Sequence, residues 1–486
     1  MKNTKKLTIL HSNDLHGDFL EEQMGELNVG GVSMLSGYIN QVREEEDNVI
    51  YAVAGDMFRG SVIDSEFKGI STIEIMNLLS PDVVTIGNHE IDYGIAHLLF
   101  IEKCAQFPII NANMYITTNG TRLFEPFKII AIDDMKVLFI GIITDEIIAQ
   151  AKVDGLVGSF IDTAEAAEEV GKICNAYNAI DIDFTVLLTH IGIEEDIKLA
   201  NLLKPEWGVD LIIGGHSHTF MDEPLCENGI VIAHAGEGTD NIGRFDIVVD
   251  TDDNCIDSFT WDFVPINHTT APNDDQLEAM INRYKDITDR KYQRIITRFH
   301  KVLTHPARNM ETSLGSLFSD IFKHSLGIDI MLLGSGSIRG EKLGPIVEFG
   351  GLAQIFPYDD EIFMIKVNGE QLKRMVKHVL RDEADLGTTE YYQFSEGFLA
   401  VYEKETKQIL EMRLDERAVS DDEYYTIGLQ KFHYLNLEEF LNVTQDEVNA
   451  IQKPRILSTS ALDIIEEYLS SHHKLKYRPK TRIQIV

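Results

Sequence analysis

Over its first 265 residues the chain repeats one pattern: a short aliphatic, β-branched run, then a segment long enough for a helix. The runs at 7–10, 49–54, 83–86, 108–110, 137–143, 184–188, 211–213 and 230–233 are predominantly apolar, as strands buried on both faces are. Between the first two, Met34, Leu35, Tyr38, Ile39 and Val42 recur at helical spacing, and the charged stretch 43–47 closes the segment. This alternation predicts a layered α/β domain with a largely parallel or mixed sheet.

Near Pro265 the pattern changes. Asn273-Asp274-Asp275 can cap a helix running through Leu277, Met280, Ile281 and Tyr284 to about Tyr292, the expected connector between domains. Helices at 314–326 and 370–380 and strands at 328–333 and 361–367 then predict a second α/β or α+β domain. The expected division is 1–267, a connecting helix at 268–295, and 296–486.

Composition narrows the functional classes. With 44% hydrophobic residues the chain has ample material for buried cores. Its 43 Lys+Arg against 79 Asp+Glu give a net charge of −36, which argues against a nucleic-acid polymer or an anionic membrane as partner. A small anionic substrate is not excluded, because a metal or a local Arg pair reverses the field within one cleft. Cys104, Cys174, Cys226 and Cys255 lie far apart with no Cys-x-x-Cys pair, so they are expected to be small buried hydrophobes in a reducing compartment. The N-terminal residues lack the apolar run of a secretory signal, and no stretch reaches the ~20 apolar residues of a membrane span. A soluble cytoplasmic protein without a protein partner is the expectation.

The chemistry sits where the strands end. After residue 10 comes Asp14-Leu15-His16; after 54, Gly55-Asp56; after 86, Gly87-Asn88-His89-Glu90-Ile91-Asp92. After 188 comes Thr189-His190, and after 213, Gly214-Gly215-His216-Ser217-His218. Ligands bind outside the carboxyl ends of strands in open α/β sheets, so these loops should converge on one sheet edge. Imidazoles, carboxylates and an amide without thiolates suit Mn, Zn, Co or Fe. The residues at 14, 16, 56, 88, 190, 216 and 218 can complete two divalent ions if one carboxylate bridges. Such a pair is the usual clamp for hydrolysing phosphate esters. Singly, each residue has an ordinary explanation: a turn at Gly87-Asn88, a helix cap at Asp56, a packed histidine. Ligand-type residues at all these strand ends together do not.

The ordered motifs Asp-x-His, Gly-Asp, Gly-Asn-His-Glu-x-Asp, His and Gly-Gly-His-Ser-His-Thr resemble the calcineurin-like metallophosphoesterases, in particular the 5′-nucleotidase and 2′,3′-cyclic-nucleotide phosphodiesterase branch. The resemblance implies an N-terminal layered α/β sandwich and a C-terminal α/β substrate domain. It implies one metal held by Asp14, His16, Asp56 and His218, and another by Asp56, Asn88, His190 and His216. His89 would face the phosphoryl group, oriented by Asp92, while a metal-bound hydroxide attacks phosphorus in line. His234 stands where the family more often has Gln, either beside the site or as a satisfied core residue. Arg59 is expected to form a surface ion pair and His97 to be solvated.

In the C-terminal part, Gly334-Ser335-Gly336-Ser337-Ile338-Arg339 resembles the family's Asn-Gly-Gly-x-x-Arg loop, and Phe356-Pro357-Tyr358-Asp359-Asp360 resembles Phe-Pro-Phe-x-Asn. The resemblance nominates Arg308 and Arg339 as anion contacts, Tyr358 and Phe432 as walls around a base, and Asp360 at its polar edge. The Gly-rich loop expected after Phe432 is replaced by His433-Tyr434-Leu435-Asn436. The leading expectation is a 5′-nucleotidase acting on nucleoside monophosphates. The alternatives are a cyclic-nucleotide or nucleotide-sugar phosphodiesterase, a non-nucleotide phosphomonoesterase, or a non-catalytic metal-dependent binding protein.

Overall fold

The computed structural model describes residues 2–116, 119–144, 159–160, 162–177 and 181–486. The chain forms two compact units, Met1–Thr288 and Asp289–Val486. The division falls inside the helix Asp275–Tyr292, which Asp274 caps through its Oδ1 on the Gln276 and Leu277 amides.

In the first unit we number the principal strands β1 (Thr4–Ser12), β2 (Val49–Ala54), β3 (Val83–Thr85), β4 (Ile109–Ile110), β5 (Phe127–Ile132), β6 (Met135–Ile143), β7 (Phe184–His190), β8 (Leu211–Ile213), β9 (Leu225–Glu227), β10 (Ile230–Ala233), β11 (Asn241–Asp250) and β12 (Cys255–Pro265). They divide between two six-stranded sheets, of order β12-β11-β1-β2-β3-β4 and β9-β10-β8-β7-β6-β5. The expected single sheet is therefore two. Both are mixed: β1 to β4 are mutually parallel, as are β6, β7, β8 and β10, while β5, β9, β11 and β12 run antiparallel to their neighbours.

The inner faces meet in one core, where Leu7, Ile9 and Ala52 of the first sheet pack with Val137, Phe139 and Val186 of the second. The outer face of the first sheet packs on helices Val32–Glu45 and Ile70–Leu79 and on Leu277 and Ile281. The second is covered by helices Thr163–Tyr177 and Ile193–Leu202. The result is a four-layer α/β/β/α sandwich. Continuous apolar strands follow directly, since both faces of each sheet are covered.

The second unit carries a five-stranded sheet of order Tyr392–Phe394, Ile330–Gly334, Tyr424–Gln430, Ile362–Asn368, Arg455–Ser458. Helix Ser313–Leu326 is capped by Thr312, and helix Gly369–Val379 by a reciprocal Asn368–Gln371 box. A four-stranded sheet pairs Phe398–Glu403 with the chain's last strand, Ile483–Ile485.

The cysteines depart from expectation. Only Cys174 is buried; Cys104 and Cys226 are exposed and Cys255 is intermediate. Cys104 ends a surface helix and Cys226 lies on the edge strand β9, positions where a small side chain has no core to enter. No described helix is long and apolar enough to cross a membrane.

Candidate metal centre

Backbone conformation marks the site before any side chain does. Asp14, His16, Asp56, His216 and His218 all have positive φ, between 48° and 82°. A non-glycine residue held there costs of order 1–3 kcal/mol, a cost that persists where surrounding structure fixes it, and such residues cluster at functional sites. The fixing bonds are visible: the Asp14, His16 and Gly17 amides donate to the carbonyls of Gly55, Asp56 and Met57, lacing the loop after β1 to the loop after β2.

The side chains converge accordingly. Asp14, His16 and His218 place ligand atoms within 4.8 Å of one another, as do His16, Asp56 and His89, and Asp56, His190 and His216. Asn88 Oδ1 lies 3.2 Å from His190 Nε2 and 2.8 Å from His216 Nδ1. Asp56 Oδ2 lies 3.1 Å from His190 Nε2, while its Oδ1 accepts from the His89 amide. The expected metal residues thus come together, drawn from both sheets.

The donor chemistry can be tested on the imidazoles. His16 and His190 donate Nδ1–H to the carbonyls of Phe58 and Ala54, at 3.2 and 2.8 Å. His218 Nδ1 lies 2.6 Å from the Glu237 carboxylate. In the neutral ring this leaves each Nε2 as a bare lone pair aimed inward. His16 Nε2 and His218 Nε2 face each other at 3.1 Å, and two lone pairs at that distance repel unless a cation lies with them. The residues fit divalent ions. Burial alone would raise Asp56 and lower His190, but their mutual attraction holds Asp56 below the usual carboxylate range and His190 above the usual imidazole range, so a divalent ion binding here takes the place of the His190 proton.

His89 sits beside these groups with Nδ1 2.7 Å from Asp92 Oδ2, and that hydrogen bond is the main cause of its raised pKa. Arg59 Nε donates to the same oxygen at 2.6 Å, so the expected ion pair of this half-exposed side chain forms, and its partner is Asp92. His234 is wholly buried, its Nε2 2.7 Å from Asp196 Oδ2. His97 is not free in solvent, since its Nε2–H donates to the Lys68 carbonyl at the end of helix Val62–Phe67.

Glu90 went unassigned from the sequence. Fully buried, it accepts from the amides of Asp56, Met57 and Gly87, fixing both loops that flank Asp56. Burial, with the Asp56 charge beside it, pushes its pKa up to about 7. An acidic residue closing a Gly-Asn-His-Glu run, with no Lys or Arg beside it, was the available signal.

In the second unit Arg308, Arg339, Tyr358, Asp360 and Phe432 all line one cavity of about 580 Å³. Tyr358 and Phe432 are exposed. The Arg339 guanidinium lies 5.0 Å over the Tyr358 ring and donates to its hydroxyl. Asp360 does not present a free carboxylate: its oxygens accept from the Glu361 and Phe432 amides, so it sets the position of Phe432. His433 and Glu390, also lining the cavity, were missed. Tyr392, 1% exposed, has His433 Nδ1 as its hydroxyl's partner at 2.8 Å. A buried O–H without an acceptor costs about 1–3 kcal/mol, so Tyr392 donates and His433 carries its proton on Nε2. Gly334 is what admits that ring, since a Cβ there would lie 2.3 Å from Nε2.

Comparisons with known proteins agree with this division. Residues 7–220 match the calcineurin-like phosphoesterase family, and residues 295–444 match the 5′-nucleotidase C-terminal domain. The trifunctional nucleotide phosphoesterase protein YfkN of Bacillus subtilis is 25% identical over 88% of this chain, which spans only 31% of that protein's length. The snake venom 5′-nucleotidase of Naja atra is 25% identical over 90% of both chains. The crystal structure of a 5′-nucleotidase precursor from Thermus thermophilus superposes with a TM-score of 0.59 at 20% identity, covering 99% of each chain, a likeness of fold.

Proposed function

We infer that this chain, which belongs to the family of metal-dependent phosphoester hydrolases built from a calcineurin-like phosphoesterase domain and a 5′-nucleotidase C-terminal domain, is a two-metal hydrolase releasing phosphate from nucleoside monophosphates. The observation that carries the reading is the meeting of inward-facing imidazole nitrogens and carboxylates in groups that share Asp56 and His16. Asp14, His16, Asp56 and His218 would hold one ion; Asp56, Asn88, His190 and His216 would hold the other. When bound, the ions neutralise the phosphoryl charge and make water acidic enough to attack at neutral pH.

The chain's own residues do the rest. Asp92 accepts the Nδ1–H of His89 and favours its imidazolium form, in which the far nitrogen also carries a proton to offer to a phosphoryl oxygen as charge builds. Glu90 holds the two loops so that Asp56 needs no rearrangement. In the second unit Tyr358 and Phe432 offer ring faces to a base, Arg308 and Arg339 offer positive charge, and the His433 Nε2–H beside the Glu390 carboxylate offers a donor and an acceptor to the edge of a heterocycle. A second reading, a non-nucleotide phosphomonoester, is favoured by the Arg339 guanidinium covering one face of Tyr358, which leaves less ring for a base to stack on.

The test is phosphate release by chelator-stripped protein re-supplied with Mn²⁺, Zn²⁺ or Co²⁺. The panel holds nucleoside monophosphates, a 2′,3′-cyclic nucleotide, a UDP-sugar and an aryl phosphate. Metal-dependent preference for the monophosphates is expected; activity confined to the aryl phosphate would remove nucleotides as substrates.

A further inference from the structure

His218 meets a carboxylate where His16 and His190 meet backbone carbonyls. Its Nδ1 lies 2.6 Å from Oε2 of Glu237, on the turn 235–239 that follows β10. That turn is fixed to the metal loops. The Gly236 amide donates to the Thr219 carbonyl at 3.0 Å, and the Gly238 amide to the Asp14 carbonyl at 2.9 Å. Asn13 Nδ2 donates to the Gly236 carbonyl, and Thr239 donates to Asp18 through both its amide and its hydroxyl. Gly236 and Gly238 have φ of 75° and 71°, so the chain reverses on either side of Glu237. A Cβ on Gly236 would meet the Phe220 ring at 2.4 Å. Glu237 is therefore mounted on the backbone that also carries Asp14 and Thr219.

We propose that Glu237 is a positioning residue for the metal site of Asp14, His16 and His218, and for that site alone. It accepts the Nδ1–H of His218, which fixes the tautomer with Nε2 bare, and its charge makes that nitrogen a stronger donor to a cation. The proposal rests on the two-metal reading. Outer partners of this kind typically contribute 10–100-fold to metal affinity. Glu237 is half exposed, and solvent screens its charge, so the effect belongs at the low end of that range.

The experiment is direct titration of metal-free protein with Mn²⁺, read by calorimetry and by metal analysis after equilibrium dialysis, for wild type, Glu237→Gln and Glu237→Ala. Wild type is expected to bind two ions. Glu237→Ala should bind one of them about 10-fold more weakly. Glu237→Gln, which still accepts a hydrogen bond, should fall between, and the thermal midpoints of the three metal-free proteins should coincide. Unchanged affinity for both ions in Glu237→Ala overturns the proposal, as does equal weakening of both, which would mark a structural lesion. Wild-type stoichiometry below two overturns the two-metal reading itself, and this proposal with it.

Discussion

Asp56 combines three demands in one residue: a left-handed backbone, near-complete burial, and a carboxylate between His16 and His190. Asn tolerates the left-handed region nearly as well as Asp, so Asp56→Asn removes charge while sparing the backbone. Turnover should fall at least 100-fold, with metal binding weakened at both ions, as measured by phosphate release and metal analysis. Near-normal activity in folded variant protein would refute the shared-ligand assignment. At the other site, Phe432→Ala and His433→Leu should raise KM for nucleoside monophosphates roughly 5- to 150-fold, the loss of ~1–3 kcal/mol expected for a stacked ring or an unmatched donor, while leaving aryl phosphate hydrolysis unchanged. Equal loss on both substrates would make these residues structural. The ligand types were legible at this scale, because polar residues interrupt apolar runs at every relevant strand end. The left-handed backbone at Asp14, His16 and His218 was not, since the usual sign of it is glycine.

At the scale of elements, the eight apolar runs all became strands, because their buried composition admits little else. Their division into two sheets was hidden, since pairing is non-local: β1 lies between β2 and β11, and Leu7 is opposite Ile247. The strand–loop junctions transmit that architecture to the site. A Cβ on Gly87 would lie 2.2 Å from Asp56 Oδ1 and 2.7 Å from His190 Nε2, so Gly87→Ala should displace both ligands and abolish metal-dependent turnover in a protein that still folds. By contrast, Asn368→Ala removes one half of a capping box far in sequence from the metal loops. It should cost about 1 kcal/mol in denaturant unfolding and leave phosphate release by the native protein intact.

For the whole molecule, stability should depend on pH through one buried imidazole. His11 is wholly buried against Phe245 and Trp261, and neither ring nitrogen has a hydrogen-bond partner among the described residues. Burial, with His234 nearby, lowers its pKa to about 3. The unfolded chain takes up that proton near the ordinary imidazole value of about 6.5, so the folded state loses stability progressively as pH falls from there toward 3. His11→Leu should flatten the decline of Tm between pH 7 and pH 5; an unchanged slope would place the acid sensitivity elsewhere. Metal removal should lower Tm as well, because ions that bind the folded state alone stabilise it by mass action.

On the function proposed above, the strand-end loops of the first unit form one metal-dependent phosphohydrolase centre. Phosphate release from a nucleoside monophosphate, followed while Mn²⁺ is titrated into stripped wild-type and Asp56→Asn protein, tests it most directly. Wild-type activity is expected to return and saturate at two ions per chain while the variant stays at the blank. Full activity without added metal, or equal recovery in the variant, would contradict it.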